Sequence, residues 1–201
     1  MARPPKAATR GGKEVIVTSA VANFTERGYH GTSMRDIARD ADVTVASIYH
    51  HFPSKQDILQ ELMRRTLGDV LAATRTAIDA AGPGATDRLG ALMVAWVVFH
   101  TERQAEALIG ASELRSLDEA GRVEVVALRD EQEALFREVV DQGVADGEFA
   151  TPYPREAVRA VIEMGYSIAS WYRLGGTTSP ETMAERYREL ALATVRAAPT
   201  T

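Results

Sequence analysis

Ser33-Met34-Arg35-Asp36-Ile37-Ala38-Arg39-Asp40-Ala41-Asp42-Val43-Thr44-Val45-Ala46-Ser47-Ile48-Tyr49-His50-His51-Phe52-Pro53-Ser54-Lys55 is the stretch that decides the fold. Ser33 followed by Asp36 reads as a capping box, and Met34, Ile37, Ala38 and Ala41 behind it form a short apolar stripe at helical spacing. Ala41-Asp42-Val43 reads as a turn. Thr44 then caps a second short helix through Ile48, Tyr49 and Phe52, which Pro53 ends because proline disfavours α geometry in the residue before it. Two short helices about a tight turn have the shape of a helix-turn-helix. An ordinary helical hairpin shares this periodicity, so the pattern alone leaves both readings open.

Outward from this stretch, helices fill the chain. Before it, Val17, Ala20, Val21 and Phe24 place one apolar face on a helix over 13–27, and Gly28 stops it. After it, Ser54 and Asp57 open a long helix running to Ala80, broken by Gly82-Pro83-Gly84. Further helices are predicted over 86–102, 104–116, 120–146 and 154–174, and the last begins at Ser179-Pro180-Glu181, a cap, a first-turn proline and an acidic first turn in order. No stretch alternates as a strand does. The expected class is all-α, about nine helices, with an N-terminal unit over 1–53 and a larger unit over 54–201 joined by the helix from Ser54. Residues 1–6 read as a short mobile arm, and residues 198–201 trail off.

Composition narrows the function classes. The 201 residues are 45% hydrophobic and 25% charged, which suits a globular chain, and no apolar run is long enough for a membrane span. With no apolar stretch behind the basic N-terminus a secretory signal is not expected, and the expected location is the cytoplasm. Zero cysteines exclude disulfides, thiolate metal sites and cysteine nucleophiles. Residues 1–65 carry ten Lys and Arg against seven Asp and Glu, whereas the remainder carries thirteen against twenty-one. A basic segment on an acidic body suits nucleic acid held by one face. There is no phosphate-cradling glycine loop after a strand, no His pair at ligand spacing and no nucleophile elbow. His50 and His51 are adjacent on one helix and point to different sides, so they cannot share a metal. No metal, no cofactor and no enzyme activity are expected.

The second short helix carries the chemistry. A helix that reads base edges needs small or hydrogen-bonding residues at its exposed N-terminal positions. Thr44, Val45, Ala46, Ser47 and His50 suit that outward role, and Ile48 and Phe52 the inward one. Tyr49 can offer its hydroxyl to a phosphate, and Lys55 can add charge beside the amides of the next helix. Arg35 suits either a phosphate or a guanine edge.

The runs Phe24-Thr25-Glu26-Arg27-Gly28-Tyr29, Thr32 to Ala38, Val43-Thr44 and Ile48 to Lys55 resemble the DNA-binding domain of TetR-family transcriptional regulators, over about residues 13–63. Asp42 stands where that family usually has glycine. The resemblance implies that Arg35 and the outward residues of the Thr44–His50 helix touch an operator, with Tyr49 and Lys55 on phosphates. It also implies a homodimer through the last two helices. Val158, Val161, Ile162, Gly165, Ile168 and Ala169 offer one broad apolar face for this, and the ninth helix adds Tyr187 and Leu190.

A further implication is an effector cavity among the fourth to eighth helices. Leu62, Met63, Trp96, Phe99, Phe136, Met164 and Tyr166 are candidates to line it, though such a stripe is also what plain core looks like. His100, with Glu113 among the carboxylates near it, is a candidate for a polar group of the ligand. The run Ser170 to Gly176 is similar to a subgroup that senses acyl-CoA thioesters and controls fatty-acid or steroid catabolism, with Arg173 suited to a CoA phosphate or to a carboxylate across a dimer interface. The expectation is therefore a dimeric repressor, released from a palindromic double-stranded operator by a small hydrophobic effector such as an acyl-CoA. The alternatives are an uncharged antibiotic or aromatic effector and a helical acyl-CoA-binding enzyme.

Overall fold

The computed structural model describes residues 10–196, so the N-terminal arm over 1–6 and the tail over 198–201 lie outside the described residues. Among the described residues nine α-helices follow one another: α1 (Arg10–Gly31), α2 (Met34–Asp40), α3 (Val45–His51), α4 (Lys55–Ala80), α5 (Ala85–Glu102), α6 (Gln104–Ser112), α7 (Glu119–Ala145), α8 (Pro154–Trp171) and α9 (Pro180–Thr194). The segment expected as one helix over 104–116 is divided: α6 ends at Ser112 and a single 3-10 turn occupies Leu114–Ser116. Helix α8 stops at Trp171 rather than running to Leu174, and Gly28, at φ 72°, interrupts α1 where the sequence placed its end.

Local chemistry sets most of these ends. Ser33 Oγ accepts the amide of Asp36 at 3.2 Å while the carboxylate of Asp36 accepts the amide of Ser33 at 3.1 Å, closing a capping box. Thr44, Ser54 and Ser179 accept from Ser47, Asp57 and Thr182 in the same way. Helix α5 has glycine at its start, and Glu148, beyond the end of α7, reaches across to accept the amides of Ala85 and Thr86 at 2.9 Å each. Those two amide bonds hold the carboxyl of Glu148 below its ordinary pKa.

The turn after α2 is a Schellman motif: Val43 N–H donates to the carbonyl of Ala38 at 3.0 Å and Asp42 N–H to that of Arg39 at 3.1 Å. Its left-handed position, ordinarily glycine, is Asp42 at φ 52°. Val43 packs against the core beside it.

Burial falls into two clusters. One joins α1, α2, α3 and the start of α4 through Ile16, Phe24, Ile37, Ile48, Phe52 and Leu59, and takes in Ile109, Leu117 and Val125 from α6 and α7 and the turn between them. The other is built on α5, with Leu89, Met93, Trp96 and Val97 packed against Phe136, Val140, Val161 and Ile168. Each such side chain contributes about 1.5–3 kcal/mol by leaving water.

That second cluster corrects the expected subunit interface. Val158, Val161, Gly165 and Ile168 are buried inside their own chain, where α8 meets α5 and α7, Ala169 is buried with its carbonyl accepting from Gln104 of α6, and Ile162 is half-buried with its carbonyl bonded to Trp96 Nε1 at 3.2 Å. An apolar stripe states that a face is covered but not by what, and here α5 and α7 cover it. Tyr187 packs partly into the same core, and of the expected set Leu190 alone stands exposed.

Candidate functional site

Helix α3 shows two faces. Ile48 and Phe52 are buried against α1 and α2, while Thr44, Val45, Ala46, Tyr49 and His50 are exposed and Ser47 is half-buried. Thr44 Oγ1 accepts the helix-cap bond, which leaves its hydrogen free to donate and one lone pair to accept. Arg35, in the first turn of α2, is exposed and makes no ion pair among the described residues. Arg27 and Arg39, by contrast, are engaged with Asp36, and Arg39 also with Asp40. Small outward residues at the start of a two-turn helix, beside an uncommitted guanidinium, form a surface that a major groove accepts.

Lys55 departs from its expected role on a phosphate. Its ammonium donates to the carbonyls of Tyr29 and Thr32 at 2.6 Å each and sits 4.3 Å from the centre of the Tyr29 ring. Burial lowers its pKa, with Glu113 opposing that shift. Two of its three donors thus satisfy carbonyls where α1 ends, and the lysine ties α4 to α1. An exposed lysine at a helix start reads the same in sequence whether it faces a ligand or a carbonyl 23 or 26 residues earlier.

Behind this unit lies a narrow cavity of about 30 Å³ bounded by α4, α5, α6, α7 and α8. Five expected residues line it: Met63, Trp96, Phe99, His100 and Tyr166. Five do not. Leu62 lines an outer cleft between α1, α4 and α6, Phe136 backs the Trp96 ring at 5.5 Å, and Met164 packs against the α5 cluster. Glu113 bonds Ser116 Oγ at 2.7 Å beside the N-terminal unit, and Arg173 is exposed beyond α8. These five fail as lining because helical spacing names a face and several elements compete for each face.

The lining is aromatic with a few polar atoms. Trp96, His100 and Tyr166 meet ring to ring at 4.3–5.1 Å. His100 Nδ1 lies 2.7 Å from the carbonyl of Trp96, which only accepts, so Nδ1 carries the hydrogen and Nε2 the lone pair. Burial pushes the imidazole pKa down to about 4, with that hydrogen bond opposing, and the ring is neutral at pH 7. Burial also raises the Tyr166 phenol, against the nearby Arg129.

Arg129 was not anticipated, although it lines the cavity from α7 and donates to the carbonyl of Gly110 at 2.6 Å. A signal existed: Val125, Arg129, Gln132 and Phe136 share one helical face, and the other three are buried.

The wall of the cavity is continuous with the N-terminal unit. Ala107, Gly110 and Ala111 of α6 line it, and the 3-10 turn after α6 meets the start of α4. There Gln56 donates to the carbonyl of Ser116 and accepts the amide of Asp118 at 3.2 Å, and Ser116 Oγ lies 3.3 Å from His30 Nε2 at the end of α1.

Comparison with known proteins gives this arrangement its family. Residues 16–62 match the family model described as bacterial regulatory proteins, tetR family, and residues 82–195 match the tetracyclin repressor-like C-terminal domain. The chain belongs to the TetR family. TetR-family proteins are DNA-binding transcriptional regulators, and this chain is such a regulator, not an enzyme. The transcriptional repressor KstR2 of Rhodococcus jostii RHA1 is 30% identical over 195 residues, covering 94% of this chain and 95% of the relative. A tetR-family regulatory protein from Rhodococcus RHA1 superposes with a TM-score of 0.88 at 28% identity, over 95% of this chain and all of that one. The ketosteroid transcriptional regulator KstR2 of Mycobacterium tuberculosis superposes with a TM-score of 0.85 at 25% identity, over 96% and 98%. Among the described residues of this TetR-family regulator, no helix is long and apolar enough to cross a membrane.

Proposed function

We propose that the chain is a cytoplasmic repressor that binds a near-palindromic operator as a homodimer, one α3 to each half-site, and leaves it when a small hydrophobic effector occupies the cavity among α4 to α8. The carrying observation is the exposed face of α3, with Val45, Ala46, Tyr49 and His50 beside the unpaired Arg35. The KstR2 relatives named as repressors support the sign of regulation. Residues 1–53 form the reading unit and residues 54–201 the effector and pairing unit, where Trp171 and Leu190, each half exposed, are available to a second copy. The proposed effector is an acyl-CoA thioester with its acyl chain among Met63, Trp96 and Phe99 and with Arg173 available to the part that stays outside.

The mechanism is a shift of population. An effector releases DNA only as far as it binds the released conformation better than the operator-bound one, and operator DNA weakens the effector by the same factor. The route is α6, which walls the cavity and continues into the turn bonded to Gln56 and His30.

A titration of the purified protein on a labelled fragment from upstream of its own gene tests this, followed by addition of acyl-CoAs, free acids and uncharged apolar compounds. Specific binding is expected. Arg35→Ala is expected to weaken it about tenfold, the size of one good base or phosphate contact, and Tyr49→Phe to weaken all sequences alike. Equal affinity for the upstream fragment and for unrelated DNA overturns the regulator reading, and tight binding that only uncharged compounds disturb overturns the thioester.

A further inference from the structure

The guanidinium of Arg129 stands at the wall of a largely apolar cavity and makes no ion pair among the described residues. Its Nη2 donates to the carbonyl of Gly110 at 2.6 Å, and its Nε is buried with no acceptor among the described residues. The single carboxylate on the lining, Glu106, is held by Arg103 at 3.1 Å. The residue is half-buried, but an N–H withdrawn from water with no acceptor is costly to the fold, and an anion that reaches it supplies the missing acceptor.

The position of the unmet donor is informative. Nε–H and one Nη2–H lie along the same edge of the planar guanidinium, the edge that a carboxylate takes with two parallel hydrogen bonds. His100 does not compete for the anion, since it is neutral and turns a lone pair rather than a hydrogen toward the space. Around the edge stand Met63, Leu67, Val70, Trp96, Phe99 and Tyr166, which suit a hydrocarbon body. At about 30 Å³ the space holds little more than one water, so a ligand enters by parting this lining, and Leu67 and Phe99, both half-buried, are the side chains with room to turn.

We infer that this cavity takes an apolar carboxylic acid, with its carboxylate on the Nε–Nη2 edge of Arg129 and its hydrocarbon body among Met63, Leu67, Val70, Trp96 and Phe99. The inference rests on the reading of this cavity as the effector site, and it names the effector's buried end. The carboxylate can belong to a free acid or to the far end of a dicarboxylic acid whose other end is a CoA thioester.

Thermal-shift and calorimetric titration of the full chain, without DNA, test the inference. The probes are octanoate, decanoate and dodecanoate, their methyl esters, decanoyl-CoA, and the mono-CoA thioester of decanedioic acid. The acids are expected to raise the melting temperature, more strongly with each lengthening of the chain, and each methyl ester to bind at least tenfold more weakly than its acid. Arg129→Gln is expected to remove that preference and leave ester binding unchanged. If this variant does not fold, the comparison of acid with ester on the wild-type chain decides alone. Binding of the decanedioic thioester, but of neither decanoate nor decanoyl-CoA, assigns the carboxylate to the CoA source. Acids that bind but no better than their esters, decanoate affinity that survives Arg129→Gln, or no binding of any carboxylate, the decanedioic thioester included, at millimolar concentration overturn the inference. Decanoyl-CoA that binds without regard to Arg129 and releases operator overturns it while sparing the effector reading. Acids that bind through Arg129 yet leave the operator complex intact do the reverse.

Discussion

Gly165→Ala is expected to lower the melting temperature by about 4–8 °C, corresponding to about 2 kcal/mol at 2–4 °C per kcal/mol for a chain of this size. Alanine is ordinarily the better helix former, by about 1 kcal/mol, so an exposed site would show a gain. Gly165, however, faces Trp96 across the α5–α8 contact, and an added Cβ would stand inside the van der Waals envelope of the indole at Cδ1 and Nε1. The indole has little freedom to retreat, because Nε1 is bonded to the carbonyl of Ile162 and the rings of Phe136, His100 and Tyr166 flank it. Overpacking of this kind costs about 1–3 kcal/mol and more where neighbours cannot yield. Thermal unfolding followed by circular dichroism checks the sign. A melting temperature that rises would mean that the indole moves aside and that the packing of α8 on α5 is looser than described. Restoration of stability in Gly165→Ala combined with Trp96→Phe would locate the conflict in that contact.

Acidification supplies the second large effect. His100 titrates near its ordinary 6.5 when unfolded and at about 4 when folded. Between those values the unfolded chain binds the proton and the folded chain does not. The stability gained by burying a neutral imidazole is therefore complete above about pH 6.5 and is lost as pH falls toward 4, by roughly 1.4 kcal/mol per pH unit and on the order of 3 kcal/mol in all. Urea unfolding at pH 7.5 and pH 5.0 should show the wild-type chain about 2 kcal/mol weaker at the lower pH, and His100→Gln should remove most of the difference. The carboxyls held low, Asp36 by Ser33 and Glu148 by two amides, add their own losses at lower pH, through the ordinary carboxylate range and below. A wild-type chain equally stable at both values would show that His100 is solvated in the folded protein.

These two residues also mark where the sequence was legible. Helix starts were readable at Ser33, Thr44, Ser54 and Ser179 because a cap is a bond between neighbours three residues apart. The inward and outward faces of α3 were readable for the same reason, since one short helix on one support leaves little choice. Gly165 was read as part of a face for a second subunit, but the group that approaches it is Trp96 of its own chain, and only the packing of α5 against α8 reveals that. Lys55 was read outward because its two carbonyl partners belong to the end of another helix. Arg129 went unread because Asp130 and Glu131 beside it suggest a solvated face, although every third or fourth residue around it is buried.

Asp42 has a consequence in inheritance. The codons for aspartate and glycine differ at one letter, so a single transition would put glycine at the left-handed position of the turn before α3. That change would relieve about 1 kcal/mol of backbone strain and remove a negative charge beside the surface that meets phosphates. Under the reading proposed above, loss of the charge would favour a longer hold on the operator, whereas relief of strain common to the free and bound states would stabilise the fold and leave affinity unchanged. The gene thus lies one point mutation from a regulator that, under the proposed mechanism, would close more firmly and open less readily.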